Sequence, residues 1–477
     1  MKKVNLVWLR NDLRIDDNSA LYHAAQDKNC AVFALYFVCQ KQWQEHWVGS
    51  NQQALIFAAL SELKQQLRKL NIPLLILDAG HFSQVPELMQ QVVTQLKVDD
   101  CYFNREILLN ERERDKQVYN RLKDQVKFHS YNDQTLISPH KIVTKEQQGY
   151  KVFSDFARAV KSYLADYPLQ NFSSPKAKEK SNFNFFDFTQ LAEQQFVIDK
   201  ASIIKKEHTV FSAPSLPEIN EKKIHQQLER FCKSALSDYA EQRDYPAISG
   251  TSALSAALAV GSLSIKRCYT LAKQSVNERQ SQTWINELIW RDFYRSVAWH
   301  FPHVVKGHAF NPVDKQLTWS NNTEHFAAWK NAQTGIPIID AAITQLRQTG
   351  WMHNRLRMIV ASYLTKNLWI DWREGERFFA EHLFDYDFAS NNGGWQWCAS
   401  VGTDAAPYFR VFNPASQQQK FDPDTSFIKQ WLPALKAQPA KNIHKFETLS
   451  LPNYPSPQVN LKATRQQAIE AFKQAKG

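Results

Sequence analysis

The N-terminal segment VNLVWLRNDLR, residues 4–14, joins a short apolar run to a polar turn. The run VNLVWL has the length and composition of a buried β-strand. The turn RNDLR that follows it has no GxGxxG pattern, so the usual dinucleotide-binding signature is missing after the first strand. The segment therefore predicts the first strand of an α/β domain that uses another ligand, or none.

Four more apolar runs follow this strand, and amphipathic stretches separate them. The runs are AVFALYFV (31–38), PLLILDA (73–79), DDCYFN (99–104) and VKFHSY (126–131), with helical patterns at 51–70 and 84–97. Strands that alternate with helices are typical of parallel sheets, because each helix carries the chain back across the sheet. We therefore predict an α/β N-terminal domain, residues 1–131, built on a doubly wound parallel sheet.

The rest of the chain has almost no strand pattern. Residues 132–220 contain one helical pattern at 150–164 and then stretches rich in Pro, Ser and Lys, which predict a long linker. From 221 to 477 apolar residues recur with a period of about 3.6 residues, which predicts an all-α C-terminal domain.

The composition favours a polyanionic partner. The chain has 58 Lys and Arg against 47 Asp and Glu, a net charge of +11, and 14 tryptophans. Basic surfaces bind nucleic acids and exposed aromatic rings can stack on bases. Charge spread evenly for solubility is the alternative that composition leaves open.

The six cysteines are scattered, with no CxxC pair and no clustering with histidine. This pattern predicts free thiols in a reducing cytoplasm and no metal site. No stretch approaches about 18 uninterrupted apolar residues, so we expect no membrane span and no secretion signal.

Two segments of the helical region could carry chemistry or could be structural. The run Thr251-Ser252-Ala253-Leu254-Ser255 offers hydroxyl and backbone N–H groups to a phosphate, although helix capping is the simpler explanation. Trp284, Glu287 and Trp290 share a helical face, and a carboxyl between two indoles favours its protonated form. A core helix with one satisfied glutamate remains an equal alternative.

Two further segments indicate a ligand more strongly. Trp351, Asn354 and Met358 have helical spacing that places them on one face, while Arg355 and Arg357 project elsewhere. An asparagine is unusual in an apolar stripe. In NNGGWQW, residues 391–397, the glycines suggest close approach of the backbone to another group, and the two tryptophans must point in nearly opposite directions.

Five segments resemble the flavin domain of the photolyase and cryptochrome family: WINELIWRDFY (284–294), GWMHNRLRM (350–358), DWREGE (371–376), NNGGWQW (391–397) and GTDAAPYFR (402–410). More narrowly, the chain resembles bacterial class I cyclobutane pyrimidine dimer photolyases with a folate antenna, from Trp8 to about Asp422. The resemblance implies a carbon–carbon lyase that repairs these dimers in DNA by light-driven electron transfer from reduced, anionic FAD to a flipped dimer.

The resemblance also implies the site residues. For FAD these are Tyr239, Thr251, Ser252, Leu254, Ser255, Trp284, Asn354, Arg357, Asp385, Asp387 and Asn391. For DNA and the lesion they are Arg243, Glu287, Trp290, Arg291, Arg355, Trp397 and Arg410, and the catalytic set is Glu287, Asn354, Met358 and Asn391. Ala253 departs from the family, in which many members carry arginine at this position.

Two accessory systems follow from the same resemblance. Trp395, Trp372 and Trp319 match an electron relay from the flavin to the surface, with Trp395 pointing away from the ligand. The residues that match a 5,10-methenyltetrahydrofolate antenna site are His46, Asn110, Glu111 and Lys306. The expected partner is DNA with pyrimidine dimers, and we expect a monomer without an obligate protein partner.

Three alternatives are weighed against this interpretation. A cryptochrome-type blue-light photoreceptor shares the fold, but Asn391 differs from the Asp or Cys common in plant or animal cryptochromes. A (6-4) photolyase carries a His-His pair where this chain has His353 and Asn354. A basic nucleic-acid-binding protein without a cofactor would leave the tryptophan, asparagine and glutamate faces unexplained.

Overall fold

The computed structural model describes residues 2–179 and 214–476, which form two compact units. Within these residues, the first unit comprises 2–179, 216–236 and 252–302. The second unit comprises 214–215, 237–251 and 303–476.

The first unit is built on one parallel sheet. Its strands are β1 (Val4–Leu9), β2 (Ala31–Val38), β3 (Leu74–Asp78), β4 (Asp100–Asn104) and β5 (Lys127–Tyr131), in the order β3-β2-β1-β4-β5. Every residue of β1 and β2 is buried, as expected for central strands that are covered on both faces. The predicted doubly wound parallel sheet is confirmed.

The described residues also contain α-helices of very different lengths. They are α1 (Ser19–Ala24), α2 (Gln40–Glu45), α3 (Ser50–Lys69), α4 (Val85–Leu96), α5 (Leu109–Leu122), α6 (Phe153–Asp166), α7 (Glu221–Ser234), α8 (Tyr239–Gln242), α9 (Ser255–Val260), α10 (Ile265–Ser275), α11 (Glu278–His300), α12 (Thr323–Lys330), α13 (Pro337–Thr349), α14 (Asn354–Ser362), α15 (Trp372–His382), α16 (Phe388–Ala399), α17 (Pro414–Phe421), α18 (Ser426–Trp431), α19 (Ala440–His444) and α20 (Leu461–Lys476). The predicted helical C-terminal region is confirmed. In this part of the chain, no helix is both long and apolar enough to cross a membrane.

The turn RNDLR after β1 has a structural role. The backbone N–H of Leu13 donates to the carbonyl of Val260, and the Arg14 guanidinium donates to the carbonyl of Gly261 at 3.0 Å and to Asp133. Gly261 has φ +75°, and a Cβ there would lie 2.1 Å from the Asn11 carbonyl oxygen. The turn therefore anchors the end of α9. This structural role accounts for the RNDLR segment, which lacks the dinucleotide-binding signature.

The predicted linker, residues 132–220, lies partly outside the described residues, at 180–213. Its N-terminal part contributes α6, which the sequence predicts at 150–164. This helix packs on α11, where the rings of Phe156 and Phe293 lie 5.4 Å apart. The three-part division of the chain remains a prediction, because the compact units of the structure group residues by contact and not by chain order.

In the second unit, a fully buried carboxylate holds the start of α13. Asp340 accepts hydrogen bonds from the N–H and hydroxyl of Thr334, at 2.9 and 2.7 Å, and from the N–H of Gly335 at 3.1 Å. The Tyr454 hydroxyl donates to its second oxygen at 2.7 Å. All these partners are hydrogen-bond donors, so both side-chain oxygens of residue 340 must act as acceptors.

We expect Asp340→Asn to destabilise the second unit by about 2–4 kcal/mol, because the new amide N–H group would face buried donors. Tyr454→Phe removes a single hydrogen bond and should cost only about 1 kcal/mol. Urea unfolding followed by circular dichroism measures both. Equal midpoints for the two variants would contradict the role assigned to Asp340.

Candidate functional site

A cavity in the second unit lies among α14, α15, α16 and the loop that joins the last two helices. Its walls combine charged, amide, sulfur and aromatic groups, which are Asn354, Arg357, Met358, Ala361, Phe379, Leu383, Asp385, Asp387, Ser390, Asn391, Gly394, Trp395 and Cys398. Small-molecule sites have this character, with apolar surfaces and a few polar groups that fix orientation.

The start of α14 decides which of its side chains reach the cavity. Nδ1 of His353 accepts the N–H of Arg355 at 3.2 Å and caps the helix, which begins at Asn354. Asn354, Arg357 and Met358 then share the cavity face at i, i+3 and i+4 spacing. The expectation that Arg357 projects elsewhere is wrong, and Trp351 precedes the helix.

An ion pair forms one polar wall. Nη2 of Arg357 donates to both oxygens of Asp385, at 2.8 and 3.0 Å, while its Nε donates to the Met352 carbonyl at 2.8 Å. The Asp385 side chain is 2% exposed and that of Arg357 is 25% exposed. The pairing compensates the buried charge and fixes the guanidinium at the cavity edge.

The opposite wall is one face of α16. Asp387 caps this helix by accepting the N–H of Ser390 at 3.0 Å. Asn391, Gly394, Trp395 and Cys398 then line the cavity at helical spacing.

The two tryptophans of this segment lie on different faces. The expectation that Trp395 points away from the ligand is wrong, because this ring lines the cavity. Trp397 is half-buried outside the lining, with its ring 6.5 Å from Phe412. Two residues that are two positions apart on an α-helix differ by about 200° around the helix axis, so their rings lie on different faces.

At Gly394, packing within the protein does not account for the glycine in the segment NNGGWQW. A Cβ built on Gly394 meets no atom within 4 Å. Protein packing therefore does not require glycine at this position, which borders the open cavity. A small residue here leaves room for a ligand to approach the helix backbone.

A buried acid connects α15 with α16. The backbone carbonyl of Glu376 accepts from Nδ2 of Asn391 at 2.9 Å, and its Oε1 accepts from Nδ2 of Asn392 at 2.8 Å. Burial raises the pKa of Glu376 to about 7, although the hydrogen bond from Asn392 opposes this rise. The network positions Asn391 and commits one of its two amide hydrogens. Glu376 was not among the site residues expected from the sequence.

The three relay tryptophans differ in exposure. Trp395 and Trp372 are 2% and 0% exposed, whereas Trp319 is half-buried. Nε1 of Trp372 donates to Oδ1 of Asp314 at 3.2 Å, and the Arg373 guanidinium, which pairs with Asp314, lies 4.5 Å from the centre of the same ring. The assignment of these residues to a relay remains a prediction.

Several predicted FAD residues lie in the first unit. There α9 begins at Ser255, and its N-cap residue Leu254 makes no side-chain capping bond, so capping does not explain the hydroxyls of this segment. The carbonyls of Ser252 and Ala253 accept from Nε2 of Gln227 at 2.9 and 3.2 Å. Trp284 is buried, with its ring 5.0 Å from Phe231.

The other two predicted FAD residues outside the cavity, Tyr239 and Thr251, lie in the second unit. The Tyr239 ring is buried, with the Arg243 guanidinium 5.5 Å from its centre. Thr251 is half-buried. Their roles stay predictions.

The predicted lesion residues of the first unit lie on α11. Trp290 stacks face to face on Phe153, with ring centres 3.6 Å apart and an interplanar angle of 5°. One face of this indole is thus occupied. Glu287 is half-buried, and Nη1 of Arg291 donates to the Gln134 carbonyl at 2.7 Å.

The predicted DNA-binding arginines of the second unit have different surroundings. Nη2 of Arg355 donates to Asp244 at 2.7 Å, and Nε of Arg243 lies 3.8 Å from the same oxygen. These two cations therefore flank one carboxylate and retain a net positive charge. Arg410 is exposed, next to an exposed Phe409.

The predicted antenna residues of the first unit lie near the start of α5. Nδ2 of Asn110 lies 3.0 Å from Nε2 of His46, and burial lowers the pKa of that histidine. Burial and the neighbouring Glu106 raise the pKa of the half-buried Glu111 to about 7. Lys306 is exposed and belongs to the second unit.

The cavity has the groups that a flat heteroaromatic ring requires. Phe379, Leu383 and Trp395 offer apolar surface to the faces of such a ring, while Arg357 and Asn391 offer donors to its polar edge. The fold and the cavity together define a protein with an α/β unit and a helical unit that binds an aromatic cofactor.

Comparisons with known proteins make this class specific. The profile described as the FAD binding domain of DNA photolyase matches residues 284–474, and the DNA photolyase profile matches residues 5–176. The deoxyribodipyrimidine photo-lyases of Escherichia coli and Salmonella typhimurium are 39% and 40% identical to this chain, over 99% of both chains in each case. The chain therefore belongs to the DNA photolyase family.

Solved structures agree with this assignment. A bacterial class III photolyase from Agrobacterium tumefaciens superimposes with a TM-score of 0.84 at 30% identity, covering 100% of this chain and 98% of its own. A Synechocystis cryptochrome superimposes with a TM-score of 0.82 at 27% identity, covering 98% and 99%. The fold is thus shared by both kinds of protein, and the site must distinguish them.

The residues present fit FAD. The open space beside Gly394 and the exposed amide of Asn354 leave room and hydrogen-bonding capacity at the cavity wall. Nε1 of Trp395 is buried and has no acceptor within the described ranges. These groups, with the Arg357–Asp385 pair, would hold the ring system of the flavin.

We expect Glu376→Gln to flatten the pH dependence of stability. The folded pKa of about 7 lies above the ordinary 4.5, so the stability due to this group is full below about pH 4.5 and is lost as pH rises through 7. Between about pH 5 and 9, the wild type should lose up to about 3 kcal/mol relative to the variant. Unfolding curves across this range measure the difference.

The matched control is Glu381→Gln, which changes a half-buried carboxylate on the same helix, paired with Arg377 at 2.8 Å. This control should follow the pH profile of the wild type. Parallel profiles for the wild type and Glu376→Gln would show that Glu376 is ionised throughout and would contradict the raised pKa.

Proposed function

We propose that this chain repairs cyclobutane pyrimidine dimers in DNA with light, as a deoxyribodipyrimidine photo-lyase. The observation that carries the proposal is the cavity of the second unit, where the Arg357–Asp385 pair, Asn391 and Trp395 meet in a family member with an FAD-binding domain. The full-length similarity to proteins named for this activity supports it.

When bound and reduced, FAD supplies a photoexcited electron to the dimer and recovers it after two carbon–carbon bonds have broken. The protein contributes binding, charge stabilisation and exclusion of water. The Arg357 guanidinium favours a negatively charged reduced ring, and the free amide hydrogen of Asn391 can donate to it. Phe379 and Leu383 exclude water from the ring faces.

The predicted relay gives the buried ring an electron path to the surface. Trp395 lines the cavity, Trp372 is fully buried and Trp319 is half-buried, so the outermost member of the proposed series is also its most exposed. The carboxylate of Asp314 accepts a hydrogen bond from the middle indole, and the Arg373 guanidinium that pairs with Asp314 balances the negative charge beside this ring. We assign the relay to photoreduction of oxidised cofactor and not to the repair step.

The lesion pocket is proposed to use Glu287, Trp290, Asn354, Met358 and Trp397. A dimer stacks and pairs poorly, so flipping it out of the duplex costs less than flipping normal bases. The rings of Trp290 and Trp397 are proposed to offer stacking surfaces, and a protonated Glu287 would donate a hydrogen bond to a thymine carbonyl. Arg243, Arg291, Arg355 and Arg410 are proposed to meet phosphates.

The histidine beside this pocket argues against (6-4) repair. Burial lowers the pKa of His353 to about 4, and its Nδ1 accepts the N–H of Arg355. The imidazole is therefore neutral near pH 7 and poorly suited as a general acid. Asn354, the next residue, cannot donate a catalytic proton either.

We further propose that His46, Asn110, Glu111 and Lys306 hold a 5,10-methenyltetrahydrofolate antenna. The half-buried Glu111 can accept hydrogen bonds from the donor edge of a pterin. We also propose a monomer that acts in the cytoplasm without an obligate protein partner. The six buried free cysteines support a reducing compartment.

With oligonucleotides bearing each lesion, the prereduced protein under blue light should restore the cyclobutane dimer and leave the (6-4) product intact. Glu287→Ala should lower the repair yield per bound dimer more than it lowers binding, because its hydrogen bond matters most as charge develops. Chromatography of the products and DNA-binding titrations measure the two effects. Comparable repair of the (6-4) product, or dark repair, would overturn the assignment.

Glu111→Ala should remove the near-ultraviolet absorption of the antenna and leave flavin absorption unchanged, because the substitution removes the acceptor for the pterin edge. Glu113→Ala is the matched control, since Glu113 is an exposed carboxylate on the same helix. Absorption spectra of the purified variants distinguish them. Full antenna absorption in Glu111→Ala would mean that the folate lies elsewhere.

A further inference from the structure

Trp369 pairs with the outermost tryptophan of the predicted relay. The centres of the Trp369 and Trp319 rings lie 4.9 Å apart, with an interplanar angle of 39°. Both residues lie in the second unit, and Nε1 of Trp369 donates to the Thr318 carbonyl at 2.8 Å. The ring contact and the hydrogen bond keep the two indoles together, although 50 residues separate them in the sequence.

The surroundings of the two indoles differ. Nε1 of Trp319 is buried and has no hydrogen-bond acceptor among the residues that the structure describes. An indole that loses an electron becomes a cation, and burial without a partner disfavours a positive charge. Both rings are half-buried, but Nε1 of Trp369 makes its hydrogen bond at an exposed position. A carbonyl acceptor and nearby water both stabilise positive charge on Trp369.

We propose that Trp369 is a fourth member of the electron relay, beyond Trp319. One electron passes from the Trp369 indole to the oxidised Trp319 indole, so that Trp319 becomes neutral and Trp369 carries the positive charge. A thiol in solution then returns one electron to Trp369 and is itself oxidised. The inference rests on the proposed relay and extends it by one residue.

The position of Trp369 gives this step a function. Separating the charge by one more indole slows its return to the interior and places it where a thiol can reach it. Contact between the rings makes the exchange fast, since no intervening group separates them. Trp369 is therefore the residue that determines how long the separated charge survives.

The first test concerns the pair itself and needs no cofactor. Two indoles in contact couple and produce a paired positive and negative band in the far-ultraviolet circular dichroism of the apoprotein. The Trp329–Trp395 pair, 6.2 Å apart, contributes a constant background. The part of the signal due to Trp319 and Trp369 should be lost equally in Trp319→Phe and Trp369→Phe and persist in Trp431→Phe, a control tryptophan packed on Phe427 at 6.3 Å. Its persistence in Trp369→Phe would contradict the pairing.

The second test concerns electron transfer. In FAD-loaded protein with a thiol present, Trp369→Phe should shorten the lifetime of the tryptophan radical after a laser flash and lower the photoreduction yield several-fold. Trp319→Phe should abolish photoreduction, and Trp431→Phe should behave as the wild type. An unchanged radical lifetime in Trp369→Phe, with Trp319→Phe blocked, would overturn the fourth member alone. Normal photoreduction in Trp319→Phe would overturn the relay itself.

Discussion

The close approach of α15 and α16 is the constraint on which the site depends. Gly375 lies directly against the Trp395 indole, and a Cβ at this glycine would be 2.1 Å from the ring. No other residue fits this contact without moving one of the helices. The contact brings the backbone carbonyl of Glu376 within reach of Asn391 and holds Trp395 in the cavity wall. The cavity wall and the inner end of the proposed relay therefore both depend on this one packing interaction.

This arrangement includes groups that are costly to bury. Glu376 lies buried with a raised pKa, and Nε1 of Trp395 is buried without an acceptor in the described part of the chain. Such features reduce stability unless a ligand or a neighbouring network compensates them. Here the hydrogen bonds from Asn391 and Asn392 position the wall of the cavity. The unfavourable free energy of burying these groups is consistent with a site that is preorganised for a large aromatic cofactor.

Much of the fold was predictable from local pattern. The five apolar runs form the five parallel strands. They were recognisable because a strand that is covered on both faces is apolar along its whole length. The direction of particular side chains was less predictable, since it depends on where a helix begins. The cap by His353 starts α14 at Asn354, and this start turns Arg357 toward the cavity. The Trp319–Trp369 contact joins distant parts of the sequence and therefore has no local signal.

The most direct test of the account is the absorption spectrum of the purified protein before and after blue light with a thiol present. If the cavity holds FAD and the tryptophans supply electrons to it, the protein will be coloured by oxidised flavin, and those bands will bleach on illumination. A colourless protein that cannot be reconstituted with added FAD would contradict the central claim.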